Sequence, residues 1–152
     1  MQLSKREEQI LNTILNPYRS HDTVQRMKQY IQHGSISTYD HCEDVCRMCF
    51  WINRHFCLGA DEHILVIGAF LHDFYLYDWH EKDASHRLHG FFHPDKACRN
   101  AIKIFQINDR IQRVIRCHMW PLTVTRIPTS REALIVCLVD KYCSTIETLL
   151  KR

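Results

Sequence analysis

Glycine and proline are scarce in this chain, with four of each in 152 residues. An all-β fold built on tight turns needs more of both, because Gly supplies the positive-φ positions and Pro the pre-set turns. The scarcity therefore points away from that class. Long apolar runs are missing as well. The longest, residues 64–71, falls far short of the ~20 residues a membrane-spanning helix needs. Strong charge of one sign is also absent. Twenty Lys and Arg against seventeen Asp and Glu leave a net +3 with the histidines neutral, too mild to argue for a nucleic acid polymer as partner. No repeat, low-complexity tract or linker interrupts the chain. The opening residues, Met1-Gln2-Leu3-Ser4-Lys5-Arg6-Glu7-Glu8, lack the apolar core of a signal peptide. Eight cysteines without such a signal read as free thiols in a reducing cytosol. The expectation is a cytoplasmic protein with one domain over residues 1–152, and with neither membrane nor nucleic acid among its partners.

What is present is helical periodicity. Ser4 and Glu7 form a capping box, and Leu3, Ile10, Leu11, Ile14 and Leu15 follow at helical spacing. Asn16-Pro17 is expected to end that helix. A second is expected from about Asp22 to Gln32, with Val24, Met27, Tyr30 and Ile31 on one face and Gly34 as its C-cap. A third starts at Ser37 and runs to about His55, and on it His41, Val45, Met48, Cys49 and Ile52 share a face. Asp61 caps a fourth, which carries the apolar run into His72-Asp73; Gly68 and Ala69 on it allow a neighbouring helix to approach closely. Residues 75–92 lack a clean period and read from Trp79 onward as irregular loop, with a short helix as the alternative. Pro94 suits the first turn of the next helix, with Ala97, Ala101, Ile104 and Phe105 inward. Asn108 caps another through Ile111, Val114, Ile115 and His118, and residues 122–128 read as an extended connector. Thr129 and Glu132 form a capping box for a last helix from about Ser130 to Leu149, with Ala133, Val136, Cys137, Asp140 and Ser144 on one face. The fold class expected is all-α, a single-domain bundle of about six to seven helices.

The chemistry concentrates where the apolar run ends in a histidine and an aspartate. Burying a carboxylate unpaired is costly, so a buried acid usually has a charged partner or a metal. Eleven His and ten Asp in 152 residues give roughly 0.7 His-Asp neighbours by chance, so context must carry the weight. A second copy, His21-Asp22, sits in the polar stretch Arg19-Ser20-His21-Asp22-Thr23 and reads as a helix start. His41, His72, Asp73 and Asp140, by contrast, all point inward along otherwise apolar faces. One such His is commonly a hydrogen-bonded core residue, and Asp140 alone could form a buried salt bridge, for instance with Arg47. Together the four make a mixed nitrogen and oxygen set suited to Fe, Mn, Co or Zn. His63, His80 and His86 read as surface or loop residues. Cys42-x3-Cys46-x2-Cys49 matches the spacing that holds a 4Fe–4S cluster in radical S-adenosylmethionine enzymes. Here it lies inside a helical pattern with no Gly or Pro to open a loop, so core packing is the better reading.

The order His41 … His72-Asp73 … Asp140 on separate helices, with the closing run Leu138-Val139-Asp140-Lys141-Tyr142, resembles the HD-domain superfamily of metal-dependent phosphohydrolases over about residues 37–147. The resemblance implies an HD-type bundle. It also implies a divalent ion (Fe, Mn, Co, Zn or Mg) on His41, His72, Asp73 and Asp140, and a small phosphorylated substrate, with a nucleotide among the candidates. Composition and spacing do not show the phosphate. His89-Gly90-Phe91-Phe92-His93-Pro94 and Cys117-His118-Met119-Trp120 fall where binuclear members carry extra histidines, which makes His89, His93 and His118 candidates for a second ion. Those members often show a His-His pair where this chain has His118-Met119. The chemistry implied is a metal-activated water, its pKa lowered from about 15.7 towards about 7. Asp73 and Lys141 are the expected catalytic residues. Asp73 is the acid placed to bridge a second ion, and Lys141 is placed to neutralise phosphate charge. Asp78, just past the metal helix, is named as general acid. The alternative is a non-catalytic HD-type module that binds metal or ligand in a regulatory role. A homodimer is compatible with either.

Overall fold

The computed structural model describes residues 2–80 and 88–150. Its helices are α1 Lys5–Arg19, α2 Asp22–Gln25, α3 Thr38–His55, α4 Glu62–Leu71, α5 His89–Phe105, α6 Asp109–Cys117 and α7 Arg131–Leu150. A 3-10 turn, Arg26–Gln29, continues α2, and a small antiparallel hairpin, β1 Ile31–His33 and β2 Ile36–Ser37, leads into α3. The fold is all-α around one hydrophobic core. Among the described residues no helix is long and apolar enough to cross a membrane.

The apolar run sits at the centre. Asp61 starts α4 by accepting from the N–H groups of His63 and Ile64, at 3.1 and 3.2 Å, and every residue from Ile64 to Leu71 is buried. A helix that is apolar on all sides must be covered on all sides, and α1, α3, α6 and α7 cover it. Each large aliphatic side chain so buried contributes roughly 1.5–3 kcal/mol. That sum offsets the cost of the charged groups at the helix's C-terminal end. Gly68 lets α6 come close, because a Cβ there would lie 2.6 Å from Val114 Cγ1. The contact brings the end of α6, and with it His118, beside the end of α4.

Several helix boundaries differ from the sequence expectation. Helix α1 runs through Pro17 to Arg19; in the last turn the missing Pro N–H costs a single ladder bond, and Ser20 closes the end on Asn16 O at 3.2 Å. The second helix is cut short. Gly34, at φ 58°, turns the hairpin instead of capping a helix, and Thr38 N–H closes onto Tyr30 O at 2.8 Å. Gln32 is buried with its amide engaged by core polar groups, and this tertiary anchorage outweighs helical periodicity. Helix α5 begins at His89, so residues 89–92 are helical rather than loop and Pro94 lies beyond the first turn. Ser130, not Thr129, caps α7, with Ala133 N–H donating to its Oγ at 3.1 Å. Glu132 instead accepts from Asp61 N–H at 2.9 Å. The connector after α6 is turned rather than extended, with Thr123 N–H on Met119 O and Arg126 N–H on Thr123 O. Residues 75–80 are irregular, as expected. The loop reading for 81–87, and the placing of His86, lie outside the described residues.

Candidate metal centre

Five helices converge at the C-terminal end of α4. His41 comes from the first turn of α3, where Ser37 caps the helix by accepting from Asp40 N–H at 3.1 Å. His72 and Asp73 follow α4 directly. His93 lies on α5, His118 caps the C-terminus of α6, and Asp140 and Glu147 lie two turns apart on α7. All seven side chains are buried, His41 and His72 completely.

Every imidazole Nδ1 in the cluster already has an acceptor. His72 Nδ1 is 2.7 Å from Ala69 O, His93 Nδ1 is 2.9 Å from His89 O, and His118 Nδ1 is 2.7 Å from Ile115 O. His41 Nδ1 lies 2.9 Å from both carboxylate oxygens of Glu147. Carbonyl and carboxylate oxygens only accept, so Nδ1 carries the hydrogen in all four rings. In the neutral rings the four Nε2 atoms therefore present lone pairs to the interior. This is the arrangement in which outer partners fix the tautomer and aim of metal-ligating histidines.

Those lone pairs face two carboxylates. Asp73 Oδ2 lies 3.4 Å from His72 Nε2 and 4.0 Å from His41 Nε2, while its Oδ1 lies 3.1 Å from His93 Nε2 and 3.5 Å from His118 Nε2. Asp140 Oδ1 is 3.2 Å from His41 Nε2 and 3.4 Å from His72 Nε2. Three overlapping groups, His41-His72-Asp73, His72-His118-Asp140 and Asp73-His93-His118, each bring their ligand atoms within 4.8 Å of one another. Among the described residues, His72 Nε2 and Asp73 Oδ1 have no hydrogen-bond partner. Buried polar atoms are rarely left so, and a cation between these donors would satisfy both. The residues fit a divalent metal, and the buried His/Asp clusters can hold one.

The charges agree. Burial alone would raise both carboxyl pKa values. The charges of His72 and His93 hold Asp73 well below the usual carboxylate range, and the hydrogen bond from His41 together with the charge of His72 does the same for Asp140. Burial pulls His41 down, but its hydrogen bonds to Asp140 and Glu147 push it up to about 10. His72 rises well above the usual histidine value against its burial, chiefly through the charge of Asp73. His118 falls to about 3 through burial and the neighbouring His93. The carboxylates thus attract positive charge into the cluster, as protons on His41 and His72 or as metal ions.

The other expected residues divide. His89 is not in any of the three groups; its Nδ1 meets Tyr77 Oη at 2.8 Å and its ring stacks on His93 at 4.4 Å. Lys141 donates to His118 O at 2.7 Å and to Cys137 O at 3.2 Å, so its ammonium holds the His118 backbone. Asp78 accepts from the N–H of His80 at 2.8 Å and is not among the residues lining the cavity above the cluster. Arg47 pairs with Glu8, not with Asp140. His21 caps α2 by accepting from Thr23 N–H at 3.2 Å. His63 and His80 are exposed. Cys42, Cys46 and Cys49 are buried free thiols in α3, and Cys46 donates to Val66 O at 3.4 Å.

Two further residues, Gln32 and Glu147, buttress the cluster. Gln32 reaches over from the hairpin and donates to Asp73 Oδ2 at 2.6 Å; its Oε1 accepts from the hydroxyls of Tyr75 and Thr38. No local pattern marks it. Glu147 had a legible signal, standing seven residues after Asp140 and so on the same face of α7. The cluster opens into a cavity of about 780 Å³ whose lining includes Asp73, His93, His118 and Asp140. No family model, curated protein or solved structure matches the chain.

Proposed function

We propose that the chain is a metal-dependent phosphohydrolase of the HD-domain kind, working at two divalent ions that share Asp73. One observation carries the reading: the two oxygens of Asp73 face two different imidazole pairs, His41 with His72 and His93 with His118. Asp140 completes the first set. His93 and His118 complete the second, without His89. Several imidazoles beside two carboxylates favour Fe, Mn, Co or Zn over Mg, which prefers oxygen ligands. Divalent ions held there supply an acidified water and polarise a phosphoryl oxygen.

The chain's own groups hold that chemistry in place. Gln32 fixes the rotamer of Asp73, and Glu147 accepts the Nδ1 proton of His41. Ser144 donates to Asp140 Oδ1 at 3.4 Å, and Lys141 anchors the backbone that carries His118. Lys141 acts here by positioning, and the substrate's charge is met chiefly at the ion sites.

The test is elemental analysis of the purified protein, followed by phosphate release from a panel of nucleotides and phosphomonoesters with Mn²⁺, Fe²⁺, Co²⁺ or Zn²⁺. About two ions per chain and release from at least one substrate class are expected. A protein that takes up no divalent ion refutes the centre. Tight ligand binding with no release under any metal replaces the enzyme with a regulatory module.

A further inference from the structure

We propose that the cavity selects a phosphoester of low charge with a flat, apolar leaving group, and that Trp79, Met119 and Leu122 form the wall that recognises it. This rests on the phosphohydrolase reading and adds the substrate class.

Charge comes first. Among the described residues that line the cavity, Lys141 is the sole cationic side chain, and its ammonium is engaged by the carbonyls of His118 and Cys137. Proteins that grip several phosphates offer Arg forks or free Lys donors for the extra oxygens. The described lining offers neither. A single phosphoryl group at the ion sites suits the described lining.

Shape comes second. One side of the lining is apolar, with Trp79, Met119, Pro121 and Leu122, while Lys141, Ser144 and Thr145 line another part. The Trp79 ring lies 5.2 Å from the His89 ring and within 18° of parallel, and His89 lies on His93 at 4.4 Å and 13°. Three nearly parallel rings thus run from the cavity wall to a candidate metal ligand, and with the His80 ring packed on Trp79 at 3.9 Å they hold the aromatic side of the wall in a fixed orientation. Gly90 permits the wall's closest approach, since a Cβ there would lie 2.9 Å from Leu122 Cδ2.

The apolar wall also continues outward. Leu122 lines a neighbouring surface groove with Leu88, Phe91, Phe92 and Val124, and Leu88, Phe92 and Val124 are each more than half exposed. Contiguous exposed apolar surface marks a binding site more often than an idle one, and this surface meets the cavity at Leu122.

Non-hydrolysable ligands test the idea without turnover. Calorimetry would compare phenylphosphonate, methylphosphonate and inorganic tripolyphosphate on the Mn²⁺-loaded protein. Phenylphosphonate should bind about tenfold tighter than methylphosphonate, which is the scale of one well-buried ring face, and tripolyphosphate should gain nothing over methylphosphonate. Leu122→Ala and Trp79→Leu should shrink the phenyl preference several-fold and leave methylphosphonate affinity and metal content unchanged, and Trp79→Phe should retain it. Equal binding of the two phosphonates, or tighter binding of tripolyphosphate, overturns the selectivity while leaving the ion centre standing. A fully metal-loaded protein that binds none of the three overturns the phosphohydrolase reading and the selectivity with it.

Discussion

Nε2 of His93 lies 2.8 Å from Nε2 of His118, and each ring has already given its Nδ1 hydrogen to a backbone carbonyl, His89 O and Ile115 O. Two neutral rings so arranged oppose lone pair to lone pair, which is unfavourable unless a proton or a cation lies between them. With Asp73 Oδ1 at 3.1 and 3.5 Å from the same two nitrogens, the three atoms make one of the groups that could hold an ion, the second site of the proposed centre.

His93→Ala or His118→Ala should therefore lower the metal content from two ions per chain to one, with the His41-His72-Asp140 side still occupied. Inductively coupled plasma mass spectrometry on the purified variants reads this directly. Two ions retained in both variants would exclude this floor as a metal site.

Asp73→Asn keeps the shape and removes the charge shared by both sets. Even a change outside the ligand shell typically costs about 10–100-fold in metal affinity, so the loss here should be at least that large. Wild-type protein at Mn²⁺ a hundredfold above its Kd gains about 2.7 kcal/mol; the accompanying rise in Tm should vanish in Asp73→Asn and be reduced in Asp140→Asn. Full metal content and an undiminished Tm rise in both variants would sink the centre.

Glu147→Gln tests the residue behind His41. The amide can still accept from Nδ1–H but no longer makes the ring more basic, so affinity for the first ion should fall about 10–100-fold with no loss of fold. Competition against a chelator of known affinity measures the change. An unaltered affinity would reduce Glu147 to a packing residue.

Two controls should leave the metal in place. His21→Ala removes the cap of α2 and an edge-on contact with the Phe105 ring, and should cost about 1 kcal/mol in urea unfolding. Replacing Cys42, Cys46 and Cys49 together by Ala opens cavities in a filled core and should lower Tm with metal content intact. A brown protein that bleaches on this replacement would point to an iron–sulfur cluster instead.

Gly68→Ala should destabilise by about 1–3 kcal/mol, because its Cβ would sit 2.6 Å from Val114 Cγ1 and must push α6 away. The same displacement carries His118, so affinity for the second ion should fall with stability. Urea unfolding and metal titration on one preparation follow both. A stable variant with unchanged second-ion affinity would show that the approach of α6 is not what places His118.

Much of this was readable along the chain. Ser4, Ser37, Asp61 and Asn108 cap helices because a short polar side chain before an apolar period has few other uses. The same period turns His41, His72 and Asp140 inward. A residue's face is set by its position modulo the helical turn, and that is a property of sequence alone. All-α architecture and the inward-facing His and Asp residues belong to this level.

What lay beyond it depends on distance in space. Gln32 reaches Asp73 across forty-one positions of sequence, and Glu147 reaches His41 across 106. Periodicity gives a side chain's direction but not what it meets. The helix expected through Gln32 gave way to a hairpin because a buried amide bound by Asp73, Thr38 and Tyr75 outweighs the weak local preference of four or five residues. His89 and His93 stand one turn apart on α5, yet only His93 faces Asp73, since the lie of α5 against α6 is set by packing. Spacing along the chain sets which side chains turn inward; which of them meet is settled in three dimensions, because crossing angles and close approaches such as Gly68 on Val114 are solved by the whole core at once.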